Sequence, residues 1–174
     1  MTTAHGAHGA HATRPHRPLL GLRTKPGRLA LWVFRIPLFL YRHGRGRYLG
    51  HTFLQLVHVG RRTGQQHEAV AMVLAWDPVT RAATICSGWG PDADWVRNLR
   101  ARPAARVDVG RDSFVPTHRF LSDEEAVGVV WQFRAQHPRR ARLISTILGW
   151  DVGSEEAIAR FVATRPFVEL RPAA

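Results

Sequence analysis

The sequence of 174 residues predicts an α+β fold in which a small antiparallel sheet curls toward a barrel. Five or six runs of residues have the composition of strands, and turns separate them. The first three runs are joined by connections too short for a crossover helix, which disfavours a parallel sheet. The helical patterns are inserted mainly after these strands. The length suits one domain with a core of its own.

The segment 1–25 is predicted to be a disordered tail rich in His, Ala and Gly. It has no apolar periodicity, so it cannot bury enough surface to offset the entropy lost on ordering. His5, His8 and His11 recur every third residue, but glycines between them leave no preorganised metal site. We therefore expect no metal, and we expect the folded domain to span residues 26–172.

Residues 26–43 are predicted to form an amphipathic N-terminal helix, kinked at Pro37. The segment is too short to cross a bilayer. One interpretation is a helix packed over the core of the domain. The other is an interfacial helix whose aromatic residues enter lipid while arginines meet the head groups, a peripheral membrane contact. The aromatic residues concerned are Trp32, Phe34 and Phe39.

Strands are predicted at residues 51–59, 68–76 and 82–87, which are rich in apolar and β-branched residues and end at turn signals. Later strands are predicted at residues 105–109, 114–121 and 167–170, the first two forming a hairpin across Gly110.

A helix is predicted after the third strand, with Asp92 or Asp94 as its N-cap. Trp95 and Leu99 lie four residues apart and therefore share one face of it. Pro103 ends the helical pattern.

A second helix is predicted from the capping-box pair Ser122 and Glu125 and is expected to run to Gln136. Two shorter helices are predicted at residues 140–148 and 154–161, the first ending at a glycine.

The formal charge of +12, from 25 basic and 13 acidic residues, favours anionic partners. The arginines are scattered and no nucleic-acid-reading module is present, so no specific nucleic acid is expected. Cys86 is the single cysteine, which excludes an internal disulfide. The chain has neither a long apolar run nor the pattern of a signal peptide. We expect a cytoplasmic protein, with membrane association as the second interpretation.

No side-chain nucleophile or paired metal-ligand motif is evident, and the histidines lie on different predicted elements. Two glycine-marked loops remain, at residues 60–64 and 87–90. Arg61, Arg62 and Thr63 in the first loop would make a phosphate clamp, although a solvated hairpin tip explains them equally well. In the second loop Trp89 stands between two glycines, as a side chain placed for stacking would.

The order of these motifs, Gly-Arg-Arg-Thr-Gly, Ser-Gly-Trp-Gly and Asp-Trp-Val-Arg-Asn-Leu, resembles the actinobacterial deazaflavin-dependent nitroreductase family over residues 52–109. The resemblance implies an FMN-binding-like split β-barrel, with an N-terminal helix and late helices covering a pocket. It also implies an enzyme, an oxidoreductase that transfers a hydride from reduced coenzyme F-420, an 8-hydroxy-5-deazaflavin, to an electron-poor small molecule. Quinones, activated C=C bonds and nitro compounds all qualify, and a lipophilic acceptor would suit a membrane-bound helix.

The resemblance also carries over a set of cofactor-binding residues. Two departures from the family pattern stand out. Gly88 occupies a position where some members have lysine, and residues 136–140 lack the tyrosines that cover the substrate, leaving His137 as a candidate proton donor. The cofactor-binding set is Arg61, Arg62, Thr63, Gly64, His67, Ser87, Gly88, Trp89, Gly90, Trp95, Arg97 and Asn98.

Two alternatives stay open. FMN is the nearest rival cofactor, because related barrels bind it. A non-catalytic split barrel that stores or delivers a cofactor is the second. The sequence leaves monomer and homodimer equally open.

Overall fold

The computed structural model describes Pro37, residues 39–43 and residues 45–173. The strands are Phe53–Val59 (β1), Gln66–Asp77 (β2), Ala82–Cys86 (β3), Arg106–Val109 (β4), Asp112–Phe114 (β5), Pro116–Phe120 (β6) and Phe167–Pro172 (β7). The helices are Asp94–Ala101 (α1), Asp123–Gln136 (α2), Pro138–Leu148 (α3) and Glu155–Val162 (α4), with a 3-10 turn at Gly46–Leu49.

The seven strands form one antiparallel sheet in the order β5-β4-β1-β2-β3-β7-β6. Its two edge strands, β5 and β6, are consecutive in the chain and are separated only by Val115. The edges of the sheet therefore meet at this residue, where the amide of Ala173 donates a hydrogen bond of 2.9 Å to the Val115 carbonyl. This curled sheet with late helices confirms the predicted α+β split β-barrel.

The interior of the barrel is filled by alternate residues of its strands. Leu54 and Leu56 of β1 are fully buried there, together with Ile85, Val107 and Val168. Every second residue of a strand is buried here because the pleat of the strand places neighbouring side chains on opposite faces of the sheet. Leu99 of α1 packs onto the same cluster and fastens this helix to the barrel.

Helices α2, α3 and α4 cover the outer face of the sheet. Val130, Phe133 and Phe161 from the helices form a second apolar cluster with Cys86 and Phe167 from the strands. This second cluster and the barrel core lie on opposite faces of the sheet, so the sheet separates two apolar layers.

Local signals at the late helices agree with the structure. Ser122 and Glu125 make both hydrogen bonds of the capping box at the start of α2. Gly149 ends α3 in the left-handed region at φ 66°, where glycine is favoured. The Ser154 hydroxyl accepts a hydrogen bond from the amide of Ala157 and caps α4.

Two predictions about local structure are wrong. The N-cap of α1 is Ala93, without a side-chain cap, because the carboxylates of Asp92 and Asp94 pair with arginines instead. The predicted strand at 114–121 is two strands. Only β5 pairs with β4, since the chain turns at Val115 and β6 pairs with β7 at the other edge of the sheet.

The tail 1–25 and most of the predicted helix 26–43 lie outside the described residues. Residues 39–42 are helical, and the Tyr41 hydroxyl donates a hydrogen bond of 2.7 Å to the carbonyl of Phe53 at the start of β1. In the described part of the chain, no helix has the length and apolar character needed to cross a membrane. The membrane contact of 26–43 therefore stays a prediction.

Candidate functional site

The first glycine-marked loop is a tight turn between β1 and β2. The Gly60 amide donates to the carbonyl of Gln65 at 2.7 Å, and the Gly64 amide donates to the carbonyl of Gly60 at 2.8 Å. A Cβ at position 60 would lie 2.9 Å from the Thr63 hydroxyl, and Gly64 has a φ of +71°. The turn therefore needs glycine at both ends.

Arg61 points inward from this turn and binds α1. Its guanidinium Nη1 donates to Asp94 Oδ1 at 2.9 Å and to Asn98 Oδ1 at 3.0 Å. Its backbone amide also donates to Asn98 Oδ1, at 3.1 Å. Asn98 is 3% exposed, so it acts as the buried link between the loop and the helix.

His58 completes this network beneath the loop. Because Asn98 Oδ1 already accepts two hydrogen bonds from Arg61, the Asn98 amide Nδ2 faces His58 Nδ1, at 2.9 Å. The His58 nitrogen must then accept, which fixes the neutral tautomer with its proton on Nε2. Burial, reinforced by the nearby His67 ring, lowers the pKa of His58 to about 4.

Stability is expected to fall between pH 6.5 and about 4 because of His58. In this window the unfolded chain binds a proton at His58 and the folded chain does not, so the stabilisation is complete above pH 6.5 and is lost as pH falls. Thermal unfolding of the wild type and His58→Asn measures the effect. Asparagine keeps an acceptor for Asn98 and does not titrate, so its curve should be flatter. Parallel curves would contradict this role of His58.

The neighbouring Arg62 is exposed. Within the described part of the chain its guanidinium has no carboxylate partner, and it lies beside the exposed Thr63. A second guanidinium approaches the same loop, since Arg102 Nη1 lies 3.9 Å from where a Cβ on Gly64 would be. The outward-facing cations of this loop are thus Arg62 and Arg102, while the charge of Arg61 is offset by Asp94.

The second loop connects β3 to α1. The Ser87 hydroxyl is buried and donates to the carbonyl of Gly90 at 2.6 Å, so it holds the loop in shape. Gly90 has a φ of +79°. A Cβ on Gly88 would make an ordinary contact of 3.5 Å with the Trp150 ring. Trp89 is 41% exposed.

The remaining predicted site residues are more dispersed. Trp95 packs on the barrel core, which favours a packing role. Arg97 forms an ion pair with Asp92, and His67 is exposed with its ring 5.7 Å from that of His58. His137 is half-buried at the junction of α2 and α3, where its ring packs on Phe133 at 5.5 Å.

Sequence reasoning missed three residues of this region, namely His58, Arg102 and Arg165. Arg102 reaches the first loop only because α1 folds back against it, and Arg165 reaches the second loop only because β3 pairs with β7. Neither carries a local motif. His58 had a detectable signal, a histidine within an apolar strand.

A separate groove of about 910 Å³ lies beside β4 and β5. Tyr48, Gln55 and Asp108 are among its lining residues, and none of the predicted cofactor-binding residues is. The register of β1 places it near the start of that strand, whereas the Gly60 loop follows its end. It is therefore distinct from the candidate site.

Solved structures that match the chain include an F-420-H2 dependent reductase, 16% identical over 71% of this chain and 96% of that chain, with a TM-score of 0.46. A heme storage protein from Vibrio cholerae is 13% identical, covering 78% of this chain and 91% of that chain with a TM-score of 0.47. A pyridoxamine 5'-phosphate oxidase-related, FMN-binding protein from Nostoc punctiforme is 15% identical over 83% and 82%, with a TM-score of 0.38.

The family assignment rests on the sequence itself. The model of the F-420H(2)-dependent quinone reductase family matches residues 33–145, more than half of the chain. This stretch contains both glycine-marked loops and the helix that joins them, and the match confirms the resemblance to deazaflavin-dependent enzymes. The chain therefore belongs to the F-420H(2)-dependent quinone reductase family and is an oxidoreductase.

Proposed function

We propose that this protein transfers a hydride from reduced coenzyme F-420 to an electron-poor small molecule, with a quinone as the leading acceptor and activated C=C and nitro compounds next. The family match supports the donor. The observation that carries the proposal at the level of residues is the cationic face of the Gly60–Gly64 loop, because the cofactor bears a phosphate and an oligoglutamate tail.

The donors on this loop fit such a ligand. The guanidiniums of Arg62 and Arg102 face solvent and have no carboxylate partner among the described residues. Guanidiniums bind phosphate and carboxylate through paired N–H groups, and their charge is permanent. We assign the phosphate and the tail to these two side chains and to the Thr63 hydroxyl, with Arg61 holding the loop in place.

The second loop is assigned to the ring system. We assign stacking on the ring to Trp89, which is 41% exposed, and Gly88 and Gly90 let the backbone come close to a planar ligand. When bound, reduced F-420 supplies the hydride from C5. The chain then has to hold ring and acceptor in contact and exclude water. His137 remains the proposed proton donor.

Covalent catalysis by Cys86 is not required and is disfavoured by its surroundings. The thiol is buried, and this burial raises its pKa to about 12. A neutral thiol is a poor nucleophile. This agrees with chemistry that is supplied by a cofactor.

The direct test has two parts. Fluorescence titration with oxidised F-420, and with FMN in parallel, measures which cofactor binds. Oxidation of reduced F-420 by a short-chain naphthoquinone, an enone and a nitroaromatic then measures turnover. Preference for FMN would overturn the proposal. F-420 binding without turnover of any acceptor would favour the non-catalytic alternative.

Asp94→Asn is expected to tighten F-420 binding. The Asp94 carboxylate pairs with Arg61 at 2.9 Å and lies at the loop that we assign to an anion, so its removal frees cationic charge. Since exposed pairs of this kind are weak, we expect Kd to fall by about three- to fivefold. Asp92→Asn is the matched control, because that carboxylate pairs with Arg97 instead. Equal effects of the two substitutions would show a long-range charge effect only.

A further inference from the structure

The segment after α4, which carries Arg165, packs against the second loop. The Ser87 amide donates to the carbonyl of Pro166 at 3.0 Å, and a Cβ on Gly90 would lie 3.4 Å from the carbonyl of Thr164. Arg165 lies between these two contacts in the chain. The segment that carries Arg165 therefore contacts the loop that we assign to the cofactor ring.

This guanidinium is largely unused inside the protein. Its Nη1 donates to the Thr164 hydroxyl at 2.8 Å. Its Nε is buried and has no hydrogen-bond partner. A buried N–H of a charged group without an acceptor is costly and needs an explanation.

No charge in the described chain compensates for Arg165. The ion pairs formed by described residues do not include it, and the nearby Cys86 thiol is neutral. Burial lowers the pKa of the guanidinium, yet an arginine keeps its proton at neutral pH. The result is a partly desolvated cation without an anion.

The Arg165 side chain also packs on an aromatic ring. Its guanidinium carbon lies 4.5 Å from the centre of the Phe161 ring, and this ring packs against Trp150 at 4.9 Å. Nη2 has no acceptor among the described residues, whereas Nε lies beneath the surface, out of reach of an outside ligand. Nη2 is therefore the donor that can make a charge-assisted hydrogen bond to a carboxylate or phosphate oxygen.

We propose that Arg165 binds an anionic oxygen of the deazaflavin cofactor beside the Ser87–Gly90 loop. Arg165 would thereby supply a positive charge near the position where some family members have lysine and this chain has Gly88. The inference rests on the proposed function. The anionic oxygen belongs either to the phosphate and carboxylates of the tail or to the ionised 8-hydroxyl of the ring.

The test compares Arg165→Gln and Arg165→Lys with the matched control Arg160→Gln. Arg160 is an exposed residue of α4, the helix that precedes Arg165, and it pairs only weakly with Asp151. Each variant is titrated with F-420 and with the phosphate-free 8-hydroxy-5-deazariboflavin, and its melting temperature is measured. We expect Arg165→Gln to weaken F-420 binding at least tenfold, Arg165→Lys to weaken it less, and Arg160→Gln to change it less than twofold.

The two ligands separate the sources of the anion. A loss confined to F-420 assigns Arg165 to the tail, and a loss with both ligands assigns it to the ring hydroxyl. Unchanged affinity in Arg165→Gln overturns the inference even where its melting temperature falls, because the side chain is then structural.

Failure of the proposed function would look different. If the wild type binds no F-420, a titration with inorganic pyrophosphate takes its place. Binding that Arg165→Gln abolishes and Arg160→Gln preserves would keep Arg165 as an anion site, and binding that is absent or equal in both variants would overturn it.

Discussion

Replacing Asn98 with aspartate is expected to reverse the direction in which pH changes the stability of the protein. In the wild type the Asn98 amide donates to His58 Nδ1 while its carbonyl oxygen accepts from Arg61. Aspartate keeps the acceptor for Arg61 but sets a second carboxylate oxygen against an accepting nitrogen. The pair forms a hydrogen bond only when His58 Nδ1 carries a proton, in the other neutral tautomer or in the protonated ring, and the carboxylate favours the protonated ring.

The sign of the effect follows from this pairing. In Asn98→Asp the pKa of His58 in the folded state is raised above its unfolded value by the adjacent carboxylate. Its stabilising contribution is therefore complete below the unfolded pKa and is lost as pH rises through the folded one. At pH about 8 we expect a deficit of about 2 kcal/mol relative to the wild type, or about 5 °C in Tm, which shrinks toward pH about 5.

Two controls isolate the network. Asn98→Leu removes every polar group, leaves the Arg61 amide and His58 unsatisfied, and should lower stability at all pH values by about 3 kcal/mol. The double variant His58→Asn with Asn98→Asp lacks the titrating group and should lose the reversed slope. An Asn98→Asp protein whose Tm follows the wild-type pH curve would refute the assigned hydrogen bonds. The measurement is thermal unfolding followed by circular dichroism between pH about 5 and 8.

The fold could be predicted from this sequence because its signals are local. The capping box at Ser122, the glycine at 149 and the short turns between the first strands each act within a few residues. The split of 114–121 into β5 and β6 could not be predicted. It depends on how far the sheet curls before its edges meet at Val115, which is a property of all seven strands together.

The candidate site was predictable only in part for the same reason. The family resemblance implied that both loops and α1 contribute to one site, and in the structure Asn98 of α1 accepts a hydrogen bond from the first loop. The pattern of two adjacent arginines predicts one clamp, but the structure gives the two side chains different surroundings. Arg61 is engaged by Asp94, while Arg62 is exposed. The second cation that we assign to the clamp is Arg102, whose place depends on the packing of α1.

Because Arg62 and Arg102 are exposed and Arg61 is not, substituting these two arginines is expected to have the largest effect on cofactor binding. Arg62→Ala combined with Arg102→Ala removes both outward guanidiniums of the first loop and leaves the Arg61–Asn98–His58 network intact. We expect F-420 to bind roughly 30-fold more weakly, because two charge-assisted contacts to phosphate or carboxylate are lost. The melting temperature should change little, since both side chains are exposed.

The matched control removes two arginines that lie away from this loop, Arg111 at the turn between β4 and β5 and Arg160 on α4. It lowers the net charge by the same amount, so it measures the long-range part of the attraction. Raising the salt concentration from about 50 to 300 mM should weaken binding to the wild type and narrow its advantage over the Arg62/Arg102 variant, since exposed charges are screened. If the control weakens binding as much as the Arg62/Arg102 variant, the cofactor responds to net charge alone. A selective loss would mean that the two guanidiniums of Arg62 and Arg102 bind the cofactor directly.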